Sequence, residues 1–177
     1  MLFGCETFEI QILDVIHSLF GCDFMDALML FFSAINNSGI LWIAVTITLL
    51  CIKKYRKTGI IMAIGLILGV IFGNLILKNF IARPRPCWLE ENLQMLIAIP
   101  KDYSFPSGHT LSSFIASFVL FDRDKRLGIP ALCVATIIAF SRMYLFAHFP
   151  TDILGGIVLA ALIYAIMKSV LKKLKML

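Results

Sequence analysis

Three short stretches of the chain carry side chains that could act on an anion. Lys78 is followed after six residues by Arg85-Pro86, and Pro106-Ser107-Gly108-His109 opens an apolar stretch. Ser141-Arg142 is followed after five residues by His148, with Asp152 four positions beyond it. Each stretch alone has a plain reading. A lysine at a helix end snorkels, and Ser-Gly-His ahead of a helix is a simple cap. Together they bring three cations, Lys78, Arg85 and Arg142, to one locality, which suits a tetrahedral oxyanion. Arginine clamps phosphate oxygens in a bidentate way and lysine adds a point charge. Ser107 and Gly108 stand at a helix start, where free backbone N–H groups and the positive dipole end attract anions. Gly108 has no side chain and lets the backbone come close.

The two histidines supply the reactive groups. Pro150 suits a first helical turn, and the four-residue spacing lets the Asp152 carboxylate reach one imidazole nitrogen of His148. Such a contact fixes the tautomer and leaves the other nitrogen as a nucleophile. His109, on a different helix, is placed to protonate a leaving oxygen as general acid. This is chemistry for phosphoryl transfer.

The elements that must hold these residues are written in the composition. Of 177 residues 60% are hydrophobic and 15% charged, with a mean hydropathy of +0.92, against about a quarter charged in soluble domains. One small core cannot hide that much apolar surface, so lipid is the expected solvent. Apolar stretches run over Ile40–Ile52, Thr58–Leu77, Leu111–Phe121, Leu127–Phe140 and Ile153–Met167, with a short one at Phe24–Ile35; weakly polar flanks extend two of them to Ser107–Phe121 and Leu127–Phe146. A spanning helix takes roughly 20 residues, which leaves the crossing by Phe24–Ile35 open. Phe8–Phe20 is amphipathic, with Phe8, Ile12, Val15, Ile16 and Leu19 on one face and Glu9 and Asp14 off it. It is expected in the interface plane, and a core-helix reading stays open beside that. With no basic residue and four polar interruptions, Met1 to Phe20 is not expected to be a cleaved leader.

Eleven of the sixteen lysines and arginines form three clusters, Lys53–Lys57, Arg123–Arg126 and Lys168–Lys175. Two crossings separate each cluster from the next, so all fall on one side, which the positive-inside rule makes cytoplasmic. The net charge of +5 is thus a topology signal, and nucleic acid is not an expected partner. Lys78, Arg83, Arg85, Lys101 and Arg142 lie toward the opposite ends, where function is the natural explanation. The five cysteines are scattered and read as free thiols. No metal or other cofactor is expected: Glu90, Glu91 and Asp102 read as structural or surface residues, and Asp23 and Asp26 as helix-start residues. Gly65, Gly69 and Gly73 form a small-residue stripe for close helix packing. Trp42 and Trp88 read as interface anchors, and His17 as an interfacial or satisfied core residue.

The three stretches match, in order, the signatures K-x6-R-P, P-S-G-H and S-R-x5-H-x3-D, and the chain resembles the type 2 phosphatidic acid phosphatase family. That resemblance implies an all-α polytopic membrane bundle of about six helices crossing or entering the bilayer, preceded by the amphipathic N-terminal helix. One domain over 1–177 is expected, with 1–22 as the amphipathic segment and 78–152 as the motif-bearing part. It also implies metal-independent hydrolysis through a phosphohistidine. His148 would be the nucleophile, Asp152 its partner and His109 the acid, with Lys78, Arg85, Ser107, Gly108 and Arg142 holding the phosphate. Only Arg85 of the Arg83-Pro84-Arg85-Pro86 repeat has the six-residue spacing, so Arg83 is expected to contact a substrate head or the lipid surface. The expected substrate is undecaprenyl diphosphate. Phosphatidylglycerophosphate and phosphatidic acid are the alternatives, with a vanadium haloperoxidase or a non-enzymatic phospholipid binder more remote. The expected setting is the cell membrane, with the site extracytoplasmic, the C-terminus cytoplasmic and membrane lipids as neighbours.

Overall fold

The structure, a computed structural model, describes residues 4–90 and 95–173. Glu91, Lys175 and the extreme ends of the expected domain lie outside the described residues. Helices α1 (Glu6–Phe20), α2 (Asp23–Ile35), α3 (Ile40–Cys51) and α4 (Arg56–Gly69) come first. α4 continues through π-helical turns at Val70–Leu77 into α5 (Lys78–Ile81). A short α6 (Pro86–Leu89) and a loop lead to α7 (Gly108–Arg123), α8 (Lys125–Tyr144) and α9 (Pro150–Lys173). Among the described residues there is no strand.

α7 is the centre. Its Leu111, Ile115, Ala116, Val119 and Leu120 are buried against α4, α8 and α9. The glycine stripe is where α4 and its continuation close on α7. A Cβ on Gly65 or Gly69 would stand 2.8 Å from Ile115, and one on Gly73 would stand 2.3 Å from Leu111. Side chains there would push the helices apart. The run Lys53–Leu89 and the helices α8 and α9 are long and apolar enough to cross a membrane. α2 and α3, bent by 43° at their junction, make a fourth if taken as one span. Ile64, Ile67, Leu75, Ile129, Leu154, Leu162 and Ile166 are exposed on these helices, an apolar surface of the kind lipid covers. α7 has 16 residues, about 24 Å at 1.5 Å per residue. Enclosed by its neighbours, it meets protein where the others meet lipid.

The ends of the bundle differ in charge. Lys168 pairs with Asp122, and Thr58, Arg123 and Lys168 line one cavity of about 130 Å³. The three basic clusters therefore gather at one end.

One expectation is corrected here. Trp42 is 3% exposed, and its Nε1 donates to Ser113 Oγ at 2.8 Å. It ties α3 to α7 and does not anchor an interface, because Ser113 offers the buried indole an acceptor. In α1 the inward face carries Glu6, Glu9, Ile10 and Leu13, while Phe8, Val15 and Leu19 point outward. Glu9 turns inward because a buried cation awaits it, and the apolar face is left outside, where an interfacial helix meets lipid. Trp88, more than a third exposed, donates to the Pro100 carbonyl at 3.0 Å. His17 packs its ring against Tyr144 and Phe146.

Candidate active site

A cavity of about 900 Å³ opens at the end of the bundle away from the basic clusters. Lys78, Arg85, Gly108, His109, Arg142 and His148 all line it, together with Asp102 and Asn37. Ile43 of α3, Leu66 of α4 and Val70 of its π-helical continuation form an apolar side of the same cavity.

Lys78, Arg85, His109 and Arg142 come from the ends of helices, and His148 and Asp102 from the loops between them. Lys78 begins α5, and Arg85 immediately precedes Pro86 at the start of α6. Arg142 sits in the last turn of α8. Ser107 is the N-cap of α7: its hydroxyl accepts from Thr110 Oγ1 at 3.0 Å and from Thr110 N at 3.4 Å. The cap occupies that hydroxyl, so the anion-binding capacity here lies in the first-turn backbone N–H groups. Gly108 faces Asn74, whose Oδ1 would lie 3.0 Å from an added Cβ. Three non-glycine residues with left-handed backbone, Ser38, Ala82 and Phe146, sit at the junctions that deliver these segments. Such conformations cost about 1–3 kcal/mol each and persist where the surroundings impose them.

His148 is 2% exposed and Asp152 is fully buried. His148 Nδ1 lies 3.5 Å from Asp152 Oδ2 and 3.4 Å from Ser104 Oγ. Ser104 itself donates to Asp152 Oδ2, and Phe149 N donates to the same oxygen at 2.8 Å. On the other side, Arg85 NH1 reaches His148 Nε2 at 3.2 Å. A guanidinium has no acceptor, so Nε2 carries the lone pair and Nδ1 the proton. Burial, and after it Arg85, Arg142 and Lys78, holds the His148 imidazole well below its usual pKa. It stands neutral, with its lone pair toward the cations. His109 Nε2 lies 3.3 Å from Asn37 Oδ1, which makes that nitrogen the protonated one.

The cations are partly answered from the loop before α7. Asp102 Oδ2 accepts from Lys78 Nζ at 2.5 Å and Oδ1 from Arg85 NH2 at 2.7 Å. Partial burial alone would raise the Asp102 carboxyl; Lys78 and Arg85 reverse that and bring it to about 2. Arg142 NH1 donates to Ser33 Oγ. Two carboxylate oxygens thus hold places suited to phosphate oxygens. Among the described residues no group of three histidine, cysteine or acidic side chains is set to hold a metal ion.

Arg83 does not face the cavity or the lipid. It is 1% exposed and donates through NH1 to Asp152 Oδ1 at 2.7 Å, while NH2 pairs with Glu9. The expectation of a substrate or surface contact is corrected: two buried carboxylates hold the guanidinium inside. The spacing from Lys78 distinguished Arg85 from Arg83, but it carried no sign of the partner on α1. Ser104, Asn37 and Glu9 also escape a reading by motif, since nothing in their spacing marks them. Asp102, read from the sequence as a structural or surface residue, is one of the groups facing the cavity.

The chain is similar to several known proteins. An undecaprenyl-diphosphatase of Sulfolobus acidocaldarius is 33% identical over 75% of this chain and 64% of its own length. The undecaprenyl-diphosphatase BcrC of Bacillus subtilis is 29% identical over 78% and 71%. Phosphatidylglycerophosphatase B of Bacillus subtilis is 33% identical over 68% and 63%. The match thus spans a little under two thirds of the first and third of these relatives. The crystal structure of the PAP2-type phosphatidylglycerolphosphate phosphatase from Bacillus subtilis shares the fold, with a TM-score of 0.77 at 23% identity over 97% of this chain and 88% of that one. The structure of Aquifex aeolicus LpxE superposes with a TM-score of 0.78 at 24% identity, over 90% and 93%. A family model described as the PAP2 superfamily matches residues 58–176, a stretch that holds all three motifs, and the chain belongs to that superfamily.

Proposed function

We propose that the chain is an integral membrane lipid phosphatase, with undecaprenyl diphosphate as its substrate and undecaprenyl phosphate and inorganic phosphate as products. One observation carries this reading: His148 Nε2 turns its lone pair, which accepts from Arg85 NH1, toward a cavity holding Lys78, Arg85 and Arg142, one side of which is apolar. The cations and the first-turn N–H groups of α7 take the phosphate oxygens, displacing Asp102. Nε2 attacks phosphorus, forming the N–P bond as the bond to the leaving oxygen breaks. His109, carrying a second proton once the phosphate's negative charge is bound beside it, passes its Nε2 proton to that oxygen and is left neutral. Water then attacks phosphorus and gives a proton back to His109 as the N–P bond breaks, and His148 returns to its neutral form. Lys78, Arg85 and Arg142 offset the charge on the equatorial oxygens throughout.

The relatives named undecaprenyl-diphosphatase favour the diphosphate, and the one named phosphatidylglycerophosphatase B favours phosphatidylglycerophosphate as the second reading. Gathering of the basic clusters at the opposite end supports a multi-pass cell-membrane protein with an extracytoplasmic site and a cytoplasmic C-terminus. The test is phosphate release from a panel of lipid phosphates by purified protein with chelator present. Release from the diphosphate lipid that is lost in His148→Ala supports the reading, and release retained in His148→Ala contradicts it.

A further inference from the structure

Resting on that reading of His148 and Asp152, we infer that Glu9 and Arg83 are positioning residues, forming with Asp152 a buried carboxylate–guanidinium–carboxylate bridge through which α1 orients the nucleophile. Arg83 NH1 donates to Asp152 Oδ1 at 2.7 Å and to Thr151 Oγ1 at 2.6 Å, and NH2 pairs with Glu9 Oε2. Glu9 Oε1 accepts from the Thr151 backbone N–H at 2.9 Å and its hydroxyl at 2.7 Å. The guanidinium lies over the Phe149 ring, 4.1 Å from its centre.

The arrangement fixes Asp152 from every side. Thr151 N belongs to the first turn of α9, where backbone donors lack helical partners, so Glu9 caps the helix that carries Asp152. The Arg83 carbonyl also accepts from Ser104 N at 2.8 Å, and Ser104 in turn donates to Asp152 Oδ2. Arg83 thereby governs both oxygens of the carboxylate, one with its side chain and one through Ser104. Isolated charges buried this deeply cost several kcal/mol each, and the bridge retains them by pairing each one. Its single excess negative charge faces His148, with Arg85, Arg142, Lys78 and His109 on the far side of that imidazole. The Cys5 thiol, 3.3 Å from Glu9 Oε2, and the buried Glu6 carboxylate on the same face of the helix are titratable neighbours on the α1 side.

A bridge that only held the fold together would leave the titration of the site alone. A bridge that sets the charge behind His148 moves it, and the two members move it oppositely. Full-length protein in detergent, assayed on the diphosphate lipid, is compared with Glu9→Gln, Arg83→Gln and Arg83→Lys. Both glutamine variants are expected to lose kcat by about 10-fold to 100-fold, by analogy with the partners that orient metal-ligating side chains, with KM nearly unchanged. The acidic limb of kcat/KM is expected to rise in Arg83→Gln, where a cation is lost, and to fall in Glu9→Gln, where an anion is lost. Arg83→Lys keeps the charge and is expected to hold the limb and recover part of kcat. The substrate's own titration is common to all four proteins. Wild-type kcat in Glu9→Gln, or limbs that move together or stay fixed in both glutamine variants, overturns the bridge. Turnover retained by His148→Ala would instead overturn the reading beneath it.

Discussion

Arg85 uses a single nitrogen, NH1, to reach both His148 Nε2 at 3.2 Å and the carbonyl oxygen of Ala147 at 2.7 Å. Its Nε and NH2 meanwhile hold the backbone oxygen and the side chain of Asp102, each at 2.7 Å. One guanidinium therefore fixes the tautomer of the histidine and stands ready for an anion. A lysine has no fork with which to do both. Arg85→Lys is expected to lower kcat/KM about 100-fold, as loss of a charge-stabilising donor does. Steady-state phosphate release checks it, and a loss under threefold would count against the role.

Ser104 donates to Asp152 Oδ2 and lies 3.4 Å from His148 Nδ1. Ser104→Ala removes one donor to a buried carboxylate, a contact worth about 1.5–3 kcal/mol. About a 10-fold fall in kcat with KM unchanged is expected, because the phosphate cations are untouched.

Asp102 competes with substrate for Lys78 and Arg85. At about 2 its carboxyl is charged throughout the working range. Asp102→Asn is therefore expected to tighten competitive inhibition by inorganic phosphate about 10-fold at neutral pH. An unchanged inhibition constant would show that Asp102 does not occupy the phosphate subsite.

Acid should destabilise the fold through His148. Its imidazole stays neutral in the folded protein, while the unfolded chain takes up the proton near pH ~6.5. A depressed folded value means stability is full above that pH and declines as pH falls below it. Thermal melts in detergent are expected to drop from about pH 7 to about pH 5, and less steeply in His148→Asn. Equal slopes in the two proteins would contradict this.

Gly128 packs on the backbone of Phe121, where a Cβ would lie 2.1 Å from its Cα. Backbone cannot step aside as a flexible side chain does, so Gly128→Ala is expected to cost at least the 1–3 kcal/mol typical of overpacking. A melting temperature equal to wild type would refute it.

The helices were legible because apolar runs and basic clusters mark where each begins and ends, and the motif spacing located the lining of the cavity. What stayed hidden depends on long-range pairing. Glu9 turns inward against the apolar periodicity of its own helix, and its partners Arg83 and Thr151 lie 74 and 142 residues away. Trp42 looks like an interface residue until Ser113, 71 residues on, is seen to accept its N–H. Arg83 and Arg85 share a dipeptide repeat, yet the left-handed turn at Ala82 and the chain that follows send one into the core and the other to the cavity. Periodicity reports which face is apolar, and it carries no record of which buried charge will find a partner.

The central claim is a phosphohistidine on His148. Rapid mixing of the enzyme with a substrate radiolabelled in its terminal phosphate, followed by alkaline quench, preserves an acid-labile N–P bond. Wild-type protein is expected to carry label that decays to free phosphate, and His148→Ala to carry none and release none. Label or turnover persisting in His148→Ala would contradict the nucleophile and the mechanism built on it.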